Sequence, residues 1–424
     1  MKRLLCILFA ALLLCACTAR YEPSPAPAVE PTAANPTAAP TQLIYAPIPE
    51  IGSYAGFSDA LCAKLLDGTQ NRNLSPVSVY LALAMVAEGA KGQTQADMLK
   101  LLGCKTPEEL RGVCGAMLET LSIDSEDATL AIADSIWMAD RADALTFRED
   151  YLKVLAETYR SEANAVRFGT ADAAKQIADW ITEHTRGKIT LSPDDMHFDI
   201  DTVAVLINTI YLKDAWRDEF YEGATESGTF AGLDGEQTVD YMHRYDSDSA
   251  ITKGDGYLRY SLPLLRVGRM VFVLPDKGVT LESLLGSPEK LHSLLNGGES
   301  VDAHVDVKLP KFRFQDRIDL CDTLIALGMG RAFDPYCKDF SEMCENKNDI
   351  YISKVLQGSF VGVDEKGVEA AAFTMVAMAD GAAMPRELPE IDFHLTRPFL
   401  YAIESYDGTV LFVGTVTEPT PANG

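Results

Sequence analysis

Positive charge is scarce in this 424-residue chain, where 37 Lys and Arg stand against 62 Asp and Glu for a formal net charge of -25. That balance argues against nucleic acid as a partner and against direct docking on anionic lipid. No cluster of five or more basic residues occurs, so a polyanion cofactor is not expected. Histidine is scarcer still. The six histidines, at 184, 197, 243, 292, 304 and 394, never recur at the spacing of metal ligands, and the nine cysteines contain no CxxC pair. No metal and no other cofactor is expected. GxSxG, HExxH, GxxxxGK[ST] and a GxGxxG behind a strand are all missing, so nothing in the chain points to a catalytic residue. Beyond residue 17, Cys62, Cys104, Cys114, Cys321, Cys337 and Cys344 remain. Their spacing is compatible with buried thiols and, in an exported protein, with disulfides.

Long apolar runs are missing too, with one short exception. MKRLLCILFAALLLCAC places Lys2 and Arg3 before an apolar run over residues 4–14. The run is too short for a membrane span but has the layout of a secretory signal. It closes on Leu14-Cys15-Ala16-Cys17, which resembles the bacterial lipobox and makes Cys17 the expected lipidated residue. Residues 1–17 are therefore expected to be a signal peptide. The next segment, 18–47, contains EPSPAPAVEPTAANPTAAPTQ (22–42), which lacks large apolar groups, as an extended tether should. Export is expected, with the protein lipid-anchored at a bacterial cell surface or secreted, and with membrane contact only through the lipid.

The body carries two kinds of pattern. Helical spacing marks AGFSDALCAKLL (55–66), SVYLALAMVAEGA (78–90) and ADAAKQIADWITEHTRG (171–187), with Ser75-Pro76 as a cap and first turn and Gly187 as a stop. Strand-like runs follow: LAIADSIWMA (130–139), TVAVLINTIYL (202–212), RMVFVLP (269–275), FLYAIE (399–404) and VLFVGTV (410–416). They are often apolar on both faces, as covered strands are. Helices of varied length between such strands predict an α+β fold. One segment fits neither pattern. DEKGVEAAAFTMVAMADGAAMPRE (364–387) has no charge, proline or glycine over 370–379, and its apolar positions form no helical face.

The blocks NRNLSPVSVYLALAMVAEGAKGQTQADMLKLLG, WITEHTRGKI, LINTIYLKDAWRDEF, LPKFRF, VDEKGVEAAA, RPFLYAIE and VLFVGTVTEP, in this order, resemble the serpin family over residues 48–419. The resemblance implies one domain of helices packed around three β-sheets with an exposed reactive-centre loop at about 365–390, then a tail at 420–424. It implies a monomeric, irreversible suicide-substrate inhibitor of serine proteases that contributes no catalytic residue. A protease cleaves the loop, and the loop then inserts into the central sheet. The alternative is a non-inhibitory serpin that acts as a binding or scaffold protein.

Insertion needs a permissive hinge, no proline and small side chains. The hinge residues implied are Glu365, Gly367, Val368, Glu369, Ala370, Ala371 and Ala372, and no proline occurs over 364–384. Counted as a strand, Val368, Ala370, Ala372, Thr374 and Val376 face inward, while Glu369, Phe373 and Met375 face out. The resemblance also implies that Ser75, Ser78, Asn208, Trp216 and Gln357 fall in the region where the sheet opens. Gln357 stands where the family usually has histidine. The family's usual spacing from Glu365 implies a bait bond at Gly381-Ala382, and the family's spacing counted back from Phe393 and Pro398-Phe399 implies one near Met384. The window of Asp380, Gly381, Ala382, Ala383 and Met384 holds no Lys or Arg. It suits an elastase-like or subtilisin-like protease.

Overall fold

The computed structural model describes residues 46–48, 51–140, 146–190, 192, 196, 198–336, 338–345, 350–369 and 387–419. Helix Pro76–Gly89 begins as its sequence requires. The Ser75 side chain accepts from the Ser78 amide, and Pro76 takes a first-turn position where its missing N–H costs nothing. Every residue of that helix is buried. Helix Ala171–His184 is different: Ala173, Ala174, Ile177, Ala178, Trp180 and Ile181 bury one face and leave the other to solvent.

These helices cover opposite faces of a seven-stranded sheet. Its order is Phe312–Asp319, Lys354–Val363, Ala204–Ala215, Thr129–Ala139 and Ile123–Asp124, with Glu162–Val166 parallel to Thr129–Ala139 and a two-residue strand, Gly367–Val368, in the second gap. Val205, Ile207, Leu356 and Trp137 pack against helix Ala171–His184. The intervening Leu206, Ile210, Leu212 and Val355 join the larger core that contains helix Pro76–Gly89. That is why these strands read as continuous apolar runs.

Nine further strands form a second hydrogen-bonded path. From one end it runs Arg72–Leu74, Val410–Val416, Phe399–Ser405, Gly268–Pro275, Tyr257–Pro263, Glu236–Gly254, Glu299–Pro310 and Glu390–His394, with Glu226–Ala231 beside Glu236–Gly254. The 19-residue strand Glu236–Gly254 pairs with three neighbours. Two of the three sheets implied by sequence therefore share a strand and run together. Cys62, Cys104, Cys114, Cys321 and Cys344 are free thiols, and Cys337 lies outside the described residues.

Candidate functional site

The site is a seam between two parallel strands of the seven-stranded sheet. From Lys354 opposite Val205 to Ser359 opposite Ile210, the strands pair directly. Beyond that they part, and Gly367–Val368 stands between them. Val368 pairs with Val363 on one side and with Asp214 on the other, and Gly367 lies opposite Ala215. Only glycine fits there: a Cβ on Gly367 would meet the Asp214 carbonyl oxygen at 2.2 Å and Ala215 Cα at 2.7 Å. The segment expected to be the hinge thus stands as a two-residue strand between its neighbours.

Trp216 holds the turn that delivers this stub. Its indole N–H donates to the Asp364 carbonyl at 2.9 Å and its amide to the Lys366 carbonyl at 2.8 Å. Two carboxylates flank the stub. Glu365 accepts from the Thr225 hydroxyl at 2.7 Å and pairs with the Lys311 ammonium at 3.0 Å. Burial pushes its carboxyl up, but these two donors prevail and hold it below its ordinary range. Glu369 is only 7% exposed at its side chain and pairs with Lys188, just beyond helix Ala171–His184. Burial raises its carboxyl despite the lysine. Its backbone is left-handed, with φ 49°. That conformation costs a non-glycine residue about 1–2 kcal/mol and is lost in an extended strand.

Val368 joins the larger core, while Glu369 sets its carboxylate against Lys188 and its amide donates to the Gly362 carbonyl at 2.8 Å. Ala370, Ala371 and Ala372 lie outside the described residues, as do Thr374, Val376, the bait window of Asp380, Gly381, Ala382, Ala383 and Met384, and Cys17.

At the paired end of the seam, Gln357 connects three elements. Its side-chain amide donates to the Ser75 carbonyl at 2.8 Å and to Asn208 Oδ1 at 2.9 Å, and its oxygen accepts from the Ser75 amide at 3.0 Å. Gln357, Ser75 and Asn208 are fully buried, so each bond replaces water that cannot enter. Ser75 joins through its backbone, its hydroxyl being occupied as a helix cap. The Ser78 hydroxyl has no partner among the described residues. Asn208 in turn donates to Asp134 at 2.5 Å.

Asp134 was not singled out from sequence, although a lone acid inside LAIADSIWMA is a signal that a buried ionisable group is present. Burial pushes its carboxyl up to about 7, with the Asn208 hydrogen bond opposing. The neighbouring Asn73 carbonyl accepts from Ser359 at 2.6 Å, and its side chain accepts from Tyr401 at 2.8 Å. Lys188 also escaped notice, because nothing local in TRGKI says which carboxylate it meets.

This arrangement is a sheet that can admit a strand. The family model for serpins, the serine protease inhibitors, matches residues 53–419. An uncharacterised serpin-like protein of Thermococcus kodakarensis is 31% identical over 385 residues, covering 88% of this chain and 86% of that protein. Human serpin B8 is 31% identical over 362 residues, covering 83% of this chain and 94% of its own. Among solved structures, native tengpin, a thermophilic serpin, aligns with a TM-score of 0.75 at 27% identity, over 89% of this chain and 96% of its own. Human thyroxine-binding globulin in complex with thyroxine aligns with a TM-score of 0.74 over 87% of this chain and 97% of its own, at 24% identity, a likeness of fold alone.

Proposed function

The chain belongs to the serpin family, whose members are protease inhibitors rather than enzymes, and on that premise we propose that it is an irreversible suicide-substrate inhibitor of an elastase-like or subtilisin-like serine protease. One observation carries the proposal: Gly367–Val368 already stands in the seam, directly ahead of a proline-free, small-residue segment. The protease's own serine attacks the bait bond in the window at 380–384 and forms an acyl-enzyme. The freed loop then zips down the seam before water can release it.

The energies suffice. About a dozen new ladder hydrogen bonds contribute roughly 1 kcal/mol net each. Each buried inward-facing apolar side chain adds about 1.5–3 kcal/mol. The sum matches or exceeds the roughly 5–15 kcal/mol that holds a typical domain folded, which is enough to distort a tethered protease.

In this reading the inhibitor body is monomeric and exported. The lipid on Cys17 and the tether that follows hold it at a bacterial surface. The test is to mix the soluble body with elastase and with subtilisin, then run denaturing gels and sequence the released C-terminal peptide by mass spectrometry. A denaturant-stable complex is expected, and the peptide's first residue fixes the bait bond. Cleavage without a complex would assign the protein to the non-inhibitory, binding or scaffold class instead.

A further inference from the structure

Three strands at the far end of the nine-stranded path bring together residues that lie far apart in sequence. Asp306, on Glu299–Pro310, stands directly opposite Asp392, on the parallel strand Glu390–His394. Like charges placed directly across a ladder repel. His394 sits two residues along on the same outward face, with Nε2 2.8 Å from Asp306 Oδ2. From the other side, His243 on Glu236–Gly254 places Nε2 2.5 Å from Asp306 Oδ1. The two hydrogen bonds outweigh burial and hold the Asp306 carboxyl below its ordinary range. Donor atoms of Asp306, Asp392 and His394 all lie within 4.8 Å of one another.

We propose that Asp306, Asp392 and His394 form a binding site for a divalent ion of the zinc class, with His243 orienting the Asp306 carboxylate. Imidazole nitrogen with carboxylate oxygen is a donor set that zinc accepts, and small side-chain rotations bring such atoms to the required 2.0–2.2 Å or so. Water completes the coordination, because Asp392 faces solvent. The ion relieves the Asp306–Asp392 repulsion. A hydrogen bond from His243 to the second Asp306 oxygen is the outer support that metal-bound carboxylates commonly have. Lys308 shares the face, opposite both His243 and His394 in register, and its ammonium limits affinity.

The site has a mechanical consequence. Among the described residues, Glu390–His394 ladders with one neighbour only, at the end of its path, and the chain just before it is the segment read above as the reactive loop. A bridging ion clips that edge strand in place.

The experiment titrates ZnCl2 into the EDTA-stripped full chain by calorimetry, with amide exchange of residues 391–394 followed by mass spectrometry. Saturable one-to-one binding and slower exchange in zinc are expected, with no heat from MgCl2. Asp392→Asn and His394→Ala should each weaken binding about 10- to 100-fold or more and abolish the protection, and His243→Ala should weaken it about tenfold. Asp392→Asn is nearly isosteric and exposed, and a melting curve without zinc checks that the variant folds. Absence of saturable heat in the parent overturns the proposal. So does undiminished binding in both Asp392→Asn and His394→Ala, which would place the ion elsewhere, for instance on the thiols. Neither result bears on protease trapping, so this proposal and the inhibitory reading fail separately.

Discussion

At one end of the seam, Gln357, Ser75 and Asn208 join the two strands and helix Pro76–Gly89 through buried, uncharged hydrogen bonds. At the other end, the strands are wedged apart by Gly367–Val368, and the stub is held by ion pairs, Glu365 to Lys311 and Glu369 to Lys188. In the inhibitory reading, the difference matters because the sheet must open once and on cue. Buried neutral hydrogen bonds are short-ranged and lost together, so they set a threshold. Partly exposed ion pairs act over a longer distance and yield to salt, so they adjust a rate. One end keeps the seam shut, and the other keeps the strand aligned at its mouth.

The comparison is broken most severely by blocking the strand itself. Ala370→Arg places a charge at an inward-facing position of the incoming strand. An unpaired buried charge costs about 3–5 kcal/mol, which is more than 100-fold in the partition between trapping and release. The variant should be cleaved as a substrate with no denaturant-stable complex on a gel. Undiminished trapping would mean that position 370 does not enter the sheet. At the closed end, Gln357→Ala strands the Ser75 amide, the Ser75 carbonyl and Asn208 Oδ1 without partners. The expected loss is about 3–5 kcal/mol of native stability, read as a fall in the denaturant midpoint. A loss below about 1 kcal/mol would show that the cluster is not what closes the seam.

Much of this geometry is legible in the sequence, though unevenly. Strand Thr129–Ala139 and the Ser75-Pro76 start of Pro76–Gly89 follow from local pattern, because apolar period and capping chemistry act within a few residues. Gly367 is legible as a permissive backbone position. What is not legible is the register between distant segments. Lys188 meets Glu369 across 181 positions because helix Ala171–His184 lies over the sheet, and no local rule encodes that meeting. The left-handed backbone of Glu369 is equally hidden, since a non-glycine residue seldom adopts it and tertiary contacts must impose it. His243, Asp306 and His394 gather for the same reason: strand order, not spacing, makes them neighbours.

Asp134 sharpens the comparison by giving the closed end a pH dependence that its neutral partners lack. Its folded carboxyl titrates at about 7, above the ordinary range of an unfolded aspartate. The sign follows directly. The folded state holds this proton more tightly, so the stability it confers is complete below about pH 4 and is lost as pH rises through about 7. Between pH 5 and pH 8 this group should remove on the order of 3 kcal/mol. Asp134→Asn keeps the shape and can still accept from Asn208 without the charge. Denaturant midpoints at the two pH values should therefore lie closer together in the variant than in the parent. Equal pH dependence in both would remove Asp134 from the account.

The smallest effect is expected at the charged end, from Lys188→Met. Methionine retains most of the apolar stem and deletes the ammonium, leaving the Glu369 carboxylate buried without its ion-pair partner. The lysine side chain is 38% exposed, so the loss falls between the values for surface and buried pairs, about 1–2 kcal/mol. In the inhibitory reading that loss falls on the native state, whose left-handed backbone at Glu369 is given up once the strand has inserted. A native state raised by this amount, with no latch to break, should insert about 5- to 30-fold faster after loop cleavage. Stopped-flow fluorescence of a labelled loop reads that rate directly. Salt then separates the latch from any packing effect. At 1 M salt, where the Debye length falls to about 3 Å, the parent's rate should approach that of the variant while the variant's barely moves. If both accelerate in parallel, the pair is an ornament of the hinge, and the alignment of the stub rests on Trp216, Thr225, Glu365 and Lys311.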